Sequence, residues 1–350
     1  MTNPDQVKQF AQNLLTIYTG GVLTQMIDIG YNTGLFEASK QGPATSLELS
    51  ERSGLHERYV REWLGAMTTS GIYHYDAATG CYALPAEHAL LLTGGSARNL
   101  SPISRIVNEL GKQVPTLIER FQDGKGIHYD AYRPGFTHSL DDLWRRIYDE
   151  QLVDGFLGQH AELAAALQQG LRVLDIGCGT GHALNVLAQA YPHSTFVGYD
   201  LAEDAIGLAQ TEAQAMGLSN VTFAVQDVTH FPTEPAFDLI MAFDAIHDLA
   251  APDAVLSRIR QALTPDGVFL MIEFKFQSNV DGNVGNPFAP MYYGFSLLHC
   301  TPVSLAAGGP GLGAVWGEQT AKKLLGAAGF GNVVVADTPR PQNYMFLCRP

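Results

Sequence analysis

Three glycines, two residues apart, stand in Val173-Leu174-Asp175-Ile176-Gly177-Cys178-Gly179-Thr180-Gly181, between an apolar run and a helical pattern. Glycine lets a chain turn tightly and lets a ligand approach the backbone. The helix that follows offers unpaired N–H groups and a partial positive charge at its start. In nucleotide enzymes this arrangement holds phosphate. Here the spacing is G-x-G-x-G, whereas dinucleotide sites use G-x-G-x-x-G. Asp175 would also repel a phosphate. An acid at that point suits a ligand that carries an ammonium group.

Two further acids close later strands. Asp200 lies 19 residues after Gly181 and is followed by Leu201. An acid so placed can accept both hydroxyls of a ribose. Asp227 ends Val225-Gln226-Asp227, where its carboxylate can accept from an adenine amine while Val228 packs on the ring. Caps and a tight turn are the plainer alternatives, most of all for Asp227. Three acids at the carboxyl ends of consecutive strands match the edge where open α/β sheets bind ligands. S-adenosylmethionine (SAM) has the amino acid group, the ribose and the adenine that such an edge would serve.

The elements around these residues follow from periodicity. LRVLDIG, STFVGYD, VTFAVQD, FDLIMAFDA and GVFLMIEF read as strands alternating with helices, and NVVVADT and NYMFLCR as two more. The expected fold class is α/β: a Rossmann-like seven-stranded sheet over residues 166–350, with an N-terminal, mainly helical domain over 1–95 and a helical connector and lid over 96–165. Gln277–Glu318, rich in Gly, Pro and aromatics, interrupts the rhythm as an insertion over the sheet's edge. In the first hundred residues, a long apolar-periodic stretch from Leu14 to Phe36 is loosened by Gly20, Gly21 and Gly30. Ser46 is the expected cap of a helix that Gly54 ends. A second helix carries Tyr59, Trp63, Leu64 and Met67 as a buried face. IYHYDAATGCYAL then reads as a hairpin. Helix, turn, helix, hairpin is the order of a winged helix.

Composition narrows the function classes. The chain has 350 residues and a net charge of −14, a field that repels nucleic acid and anionic lipid. Cys81, Cys178, Cys300 and Cys348 show no zinc spacing, so free thiols in a reducing cytoplasm are expected. No apolar run has the length of a membrane span.

The sequence resembles the class I SAM-dependent methyltransferases over about residues 165–350, through LDIGCGTG. The resemblance implies that Gly177, Gly179 and Gly181 line the methionine part of SAM, with Asp175 ordering the loop, Asp200 taking the ribose and Asp227 the adenine. It also implies a closing antiparallel hairpin. A winged helix ahead of this fold is similar to the small-molecule O-methyltransferases, where it makes homodimers and walls the pocket. VDGFLGQH, FDAIHDLAAP, SLLHCTPVS and GLGAVWG resemble a bacterial subfamily sometimes labelled transcriptional regulators.

By fold position, Phe243 would border the adenosine pocket and the segment after it would face the methyl group. Methyl transfer needs alignment and exclusion of water, and a base only where the acceptor carries a proton. His247 is the preferred base, with a helix-start histidine as its alternative. Asp248 is expected to be a cap. In the insertion, which covers the acceptor in that superfamily, Tyr292 and Tyr293 would wall the pocket. His299 and Cys300 are a candidate base and soft group, Cys300 alternatively a small core residue. No spacing points to a metal. The expected function is transfer of a methyl group to a small hydroxyl or thiol compound. A SAM- or metabolite-sensing winged-helix regulator is the alternative, as is a fold that has lost catalysis. Residues 1–100 hold six Lys/Arg against nine Asp/Glu, and a DNA reader should be basic.

Overall fold

The apolar positions of the first hundred residues pair within one compact unit that ends at Glu109, and the alternating pattern after Gly170 builds a sheet within a second, Leu110–Pro350. The structure is a computed structural model and describes residues 2–350.

In the first unit the Asn3 side chain accepts the Asp5 N–H at 3.0 Å and starts a helix, Pro4–Asn32. This helix runs unbroken through the three glycines expected to loosen it. Gly20 and Gly21 border open space, whereas Gly30 lies against the rings of Trp63 and Phe36, where any side chain would collide. Thr45, not Ser46, caps the helix Ser46–Ser53, because Glu48 falls three residues after Thr45 and completes a reciprocal capping box. Gly54 ends that helix in the left-handed conformation, at φ +68°. The helix Glu57–Thr69 buries Val60, Trp63, Leu64 and Met67. That stripe starts at Val60, so Tyr59, expected on the buried face, is 80% exposed. Strands β1 (His74–Asp76) and β2 (Cys81–Ala83) form the antiparallel wing.

The second unit contains β3 (Arg172–Ile176), β4 (Thr195–Asp200), β5 (Val221–Val225), β6 (Phe237–Phe243), β7 (Leu263–Phe274), β8 (Asn332–Asp337) and β9 (Asn343–Arg349). Their spatial order is β5-β4-β3-β6-β7-β9-β8. The first five neighbours are parallel, and β9 runs antiparallel to both β7 and β8. Central strands with both faces covered need nearly continuous apolar runs. Accordingly Leu174, Ile176, Ile240, Phe269 and Met271 are fully buried beneath the helix Pro252–Ala262. Each such side chain contributes about 1.5–3 kcal/mol by leaving water. The strand order reverses at β3, which has β4 on one side and β6 on the other. The crevice beyond their carboxyl ends is the ligand position of this architecture.

Helix Gly135–Gln151 ends in a π-helical turn, Leu152–Leu157. The segment after β7 holds the helix Ala289–Phe295, a second π-helical turn at Ser296–Cys300, and the helix Thr301–Ala306. Wide turns of this kind recur at functional sites.

Gly30→Ala is expected to lower stability by about 1–3 kcal/mol, the cost of overpacking against Trp63 and Phe36. Gly20→Ala has helical backbone and open space, so it should stabilise by up to about 1 kcal/mol. Denaturant titration of the two full-length variants checks the opposite signs.

Candidate active site

The turn after β3 is folded by β4. Gly177 and Cys178 donate their N–H groups to the Tyr199 carbonyl at 2.8 and 3.1 Å. Gly179 donates to the Asp200 carboxylate at 2.8 Å, and Ala202 donates to its other oxygen at 2.8 Å. All three glycines have positive φ, and at Gly181 a Cβ would lie 2.5 Å from the Ala209 methyl and 2.6 Å from the Phe223 ring. Asp175 is 2% exposed, and its Oδ1 has no hydrogen-bond partner among the described residues. Burial, with Asp200 nearby, pushes its carboxyl well above the usual range. Burial also raises Asp200, against the N–H groups that favour its charge. An orphaned, buried carboxyl oxygen next to a glycine turn fits the ammonium group of an amino acid.

The other expected cofactor residues divide. Leu201 is 60% exposed at the end of β4, an apolar surface at the ligand edge. Asp227 lies exposed after β5 and accepts the N–H and hydroxyl of Thr229 at 2.8 and 2.6 Å, so the structure gives it a capping role. Burial would raise its carboxyl, but Thr229 and His230 outweigh this and hold it low. Val228 is buried in the core with Phe231 and Ile240. Phe243, at the end of β6, meets Tyr148 with ring centroids 5.8 Å apart, and Tyr148 stacks on Trp144 at 5.3 Å.

Tyr148 belongs to the helix Gly135–Gln151, which is clasped to the glycine turn. Asp141 accepts the Thr180 hydroxyl, and Arg145 pairs with Asp141 and Glu212. His182 lies between Asp149 (2.8 Å) and Glu212 (3.1 Å), and Asn185 donates to Glu212 at 3.0 Å. Burial alone would raise Glu212, but hydrogen bonds from His182, Asn185 and Arg145 bring it down to about 2.

At the ends of β6 and β7 a second group converges. His247 is buried, and its Nδ1–H donates to Glu273 Oε2 at 2.6 Å. Glu273 also accepts the Trp316 indole N–H at 3.1 Å. His247 Nε2 therefore points at Asp248 Oδ1, 3.4 Å away, and Asp248 Oδ2 lies 3.6 Å from His299 Nδ1. Asp248 is thus a member of the cluster, and the expected cap is corrected. The short 3-10 turn Ile246–Asp248 swings both side chains to one side, which sequence adjacency in a regular helix would forbid. A ring nitrogen of His247, a carboxylate oxygen of Asp248 and Sγ of Cys300 all lie within 4.8 Å of one another.

Burial alone would lower His247, but Glu273, Asp248 and Cys300 outweigh it and raise it well above the usual histidine range. His299 goes the other way: burial, with His247 beside it, brings it down to about 4. Burial pushes the Cys300 thiol up to about 12. His299 packs among Phe136, Tyr132 and Tyr129 at centroid distances of 4.1, 4.7 and 6.0 Å. Tyr292 packs on Phe274 at 4.6 Å and is pushed up to about 12 by burial and Asp244. Tyr293 turns away from it, 36% exposed, its hydroxyl accepting from Asn283 at 3.2 Å.

Several members of this site escape a reading by spacing: Asp244, Glu273, Trp316, Tyr148, Tyr132 and Phe136. Asp244 holds φ +49°, unusual for a residue with a side chain, and accepts from Asn343 at 3.3 Å. Glu273 had a readable signal, a lone acid ending the apolar run VFLMIEF.

Parts of the chain match known families. Residues 167–300 match the methyltransferase domain family, and residues 21–94 match the Rv2258c-like winged HTH domain. The malonyl-[acyl-carrier protein] O-methyltransferase of Bacillus cereus is 28% identical over 162 residues, 45% of this chain and 53% of its own length. The fatty-acid O-methyltransferase of Mycolicibacterium smegmatis is 32% identical over 111 residues, 32% of this chain and 40% of that protein. The chain therefore spans about half the length, or less, of these curated relatives. The structure of the mitomycin 7-O-methyltransferase MmcR superposes with a TM-score of 0.72 at 17% identity, covering 99% of each chain. Human N-acetylserotonin methyltransferase in complex with SAM gives 0.71 at 17% identity, covering 97% of each. At that identity the likeness establishes the fold alone, the one these solved methyltransferases share. More particularly, the Rv2258c-like winged HTH match precedes the methyltransferase-domain match along one chain.

Glu212 is held below its ordinary value of 4.5, so the stability it contributes is present above that pH and is lost as pH falls from there toward about 2. Glu212→Gln should lower the thermal midpoint at pH 6, and the gap from the parent protein should close on acidification. A gap that stays constant to pH 3 would remove Glu212 from the clasp.

Proposed function

We propose that this protein transfers the methyl group of SAM to a small molecule carrying a hydroxyl or a thiol. One observation carries the reading: a buried, unpartnered Asp175 oxygen beside a G-x-G-x-G turn whose N–H groups are organised by Asp200. SAM supplies an electrophilic methyl group on a sulfonium. Asp175 and the turn at Gly177, Gly179 and Gly181 hold its amino acid end. Asp200 takes the ribose, with Leu201 as the adjoining apolar face. Asp227 and Val228 mark the adenine end, Asp227 through a carboxylate that is exposed beside its Thr229 bonds. Phe243 borders the adenosine pocket, with the Tyr148 ring against it.

The acceptor end is formed by His247, His299, Cys300 and Tyr292, under the helices of residues 289–306, with Tyr293 at the rim. Covering helices suit a small acceptor, and they exclude water from the displacement. The named activities of the similar curated and solved proteins, O-methyltransferases of small or carrier-bound acids and of natural products, support this choice of chemistry.

The winged helix supports an assembly role better than DNA reading. Arg58 and Arg61 are paired with Glu62 and Glu57, at 2.5 and 3.3 Å, so neither presents an uncompensated cation to phosphate. The helix Pro4–Asn32 exposes Val7, Phe10, Leu15, Ile17, Tyr18 and Val22. An apolar helix face of that extent suits a second copy of the chain, giving a homodimer. No helix of the described residues is long and apolar enough to cross a membrane. Free thiols at Cys81, Cys178, Cys300 and Cys348 suit the cytoplasm.

Calorimetry with SAM tests the reading. Binding should be measurable for the parent protein and at least about tenfold weaker for Asp175→Asn, as befits a lost charge-assisted contact. A labelled-methyl assay over phenols, thiols, carboxylates and amines then identifies the acceptor. His247→Ala should lower turnover about a hundredfold and leave SAM affinity nearly unchanged. Absence of SAM binding by the parent protein would end the methyltransferase reading. For the homodimer, light scattering after gel filtration should give twice the chain mass, and Leu15→Glu with Ile17→Glu should give single chains. A monomeric parent protein would refute it.

A further inference from the structure

The cluster at the ends of β6 and β7 has the construction of a metal centre. A ring nitrogen of His247, an Asp248 oxygen and Cys300 Sγ supply one nitrogen, one oxygen and one sulfur donor within 4.8 Å of one another. The His247–Asp248 separation of 3.4 Å is long for a hydrogen bond. It is close to the roughly 3.3 Å that separates two tetrahedral ligands with bonds of about 2.0–2.1 Å. Behind the cluster, Glu273 receives the Nδ1–H of His247 at 2.6 Å and the Trp316 indole N–H at 3.1 Å. A carboxylate on the far side of a histidine fixes the tautomer that presents Nε2, the usual support of a histidine ligand.

One further fact points to a bound cation. Asp248 Oδ1, inside the cluster, has no hydrogen-bond partner among the described residues. His299 and Cys300 are delivered by the π-helical turn Ser296–Cys300, which opens the helix where they sit. Asp248 keeps 26% of its side chain exposed, so the cluster opens outward on that side.

We propose that His247, Asp248 and Cys300 bind a zinc-class divalent ion with an open fourth position, and that a thiol acceptor fills it. The mixed nitrogen, oxygen and sulfur donor set suits zinc, and three protein ligands plus one open position is the pattern of a reactive site. The second half of the proposal rests on the methyltransferase reading. An incoming thiol loses its proton to solvent and binds as thiolate. Its sulfur then forms a bond to the methyl carbon, the carbon–sulfonium bond breaks, and the electron pair remains on the donor's sulfur. The products are a methyl thioether and the neutral demethylated donor. In this arrangement His247 is a ligand and not a base.

Full-length protein, stripped with a chelator, is titrated with Zn2+ and with Co2+. One equivalent should bind, and the Co2+ form should show thiolate-to-cobalt charge-transfer absorption. Cys300→Ser should lose that band, while Cys81→Ser should keep it. Glu273→Gln, a positioning variant, should weaken Zn2+ about 10–100-fold. Circular dichroism of each variant separates lost ligation from lost fold, and the band of the parent protein stands without any variant. Adding benzenethiol should shift the cobalt spectrum, and phenol should not. Failure of the parent protein to bind either ion, or a cobalt spectrum without a sulfur band, overturns the site. A spectrum insensitive to benzenethiol overturns the thiol acceptor and leaves the metal. SAM calorimetry is independent of all these readouts, so a protein that binds metal but not SAM loses the methyltransferase reading alone.

Discussion

The structure depends on a chain reversal held by one carboxylate. Asp200 accepts from Gly179 on one strand connection and from Ala202 on the next, so β3 and β4 end in register. The glycine turn cannot relax outward without breaking those bonds, nor thicken without striking Ala209 and Phe223. Because the sheet order reverses at β3, everything presented by the ends of β4, β6 and β7 is aimed from either side at this turn. The clasp from Asp141, Arg145 and Asp149 and the cluster around His247 are both arranged relative to it.

Much of this was legible in the sequence. Seven strands, the wing and the glycine turn follow from alternation and from glycine spacing, which are local properties, while the antiparallel sense of the closing pair follows from the family resemblance. Glu48 decides the cap at Thr45 and Val60 sets the buried stripe; both are local too, and the errors at Ser46 and Tyr59 are one-residue errors of phase. Gly30 was misread for a different reason. Its neighbours Trp63 and Phe36 come from other helices, so its packing role is invisible in its own segment.

The chemistry divides along the same line. Asp175 and Asp200 were readable because a strand, a turn and an acid are contiguous. The grouping of His247, Asp248, Cys300 and Glu273 was not, because three distant segments supply it and two of them bend irregularly. Ile246–Asp248 is a single 3-10 turn and Ser296–Cys300 a π-helical one. Regular helical phase predicts the wrong neighbours for both. Asp227 shows the reverse limit: its position suits a ligand, and its present partners are Thr229 and His230.

The distribution of acids along the carboxyl edge has its own consequence. Asp175, Asp200, Asp244 and Glu273 crowd one side of the sheet, where water is scarce and charges act on each other strongly. Such a wall discriminates by valence. It stabilises a visitor that brings positive charge and gives up that advantage once the charge is gone. Under the proposed reaction the donor enters as a sulfonium and leaves as a thioether, so the loss of the methyl group is also the loss of the attraction. Under that reaction the edge that collects the donor is built to let its remnant go.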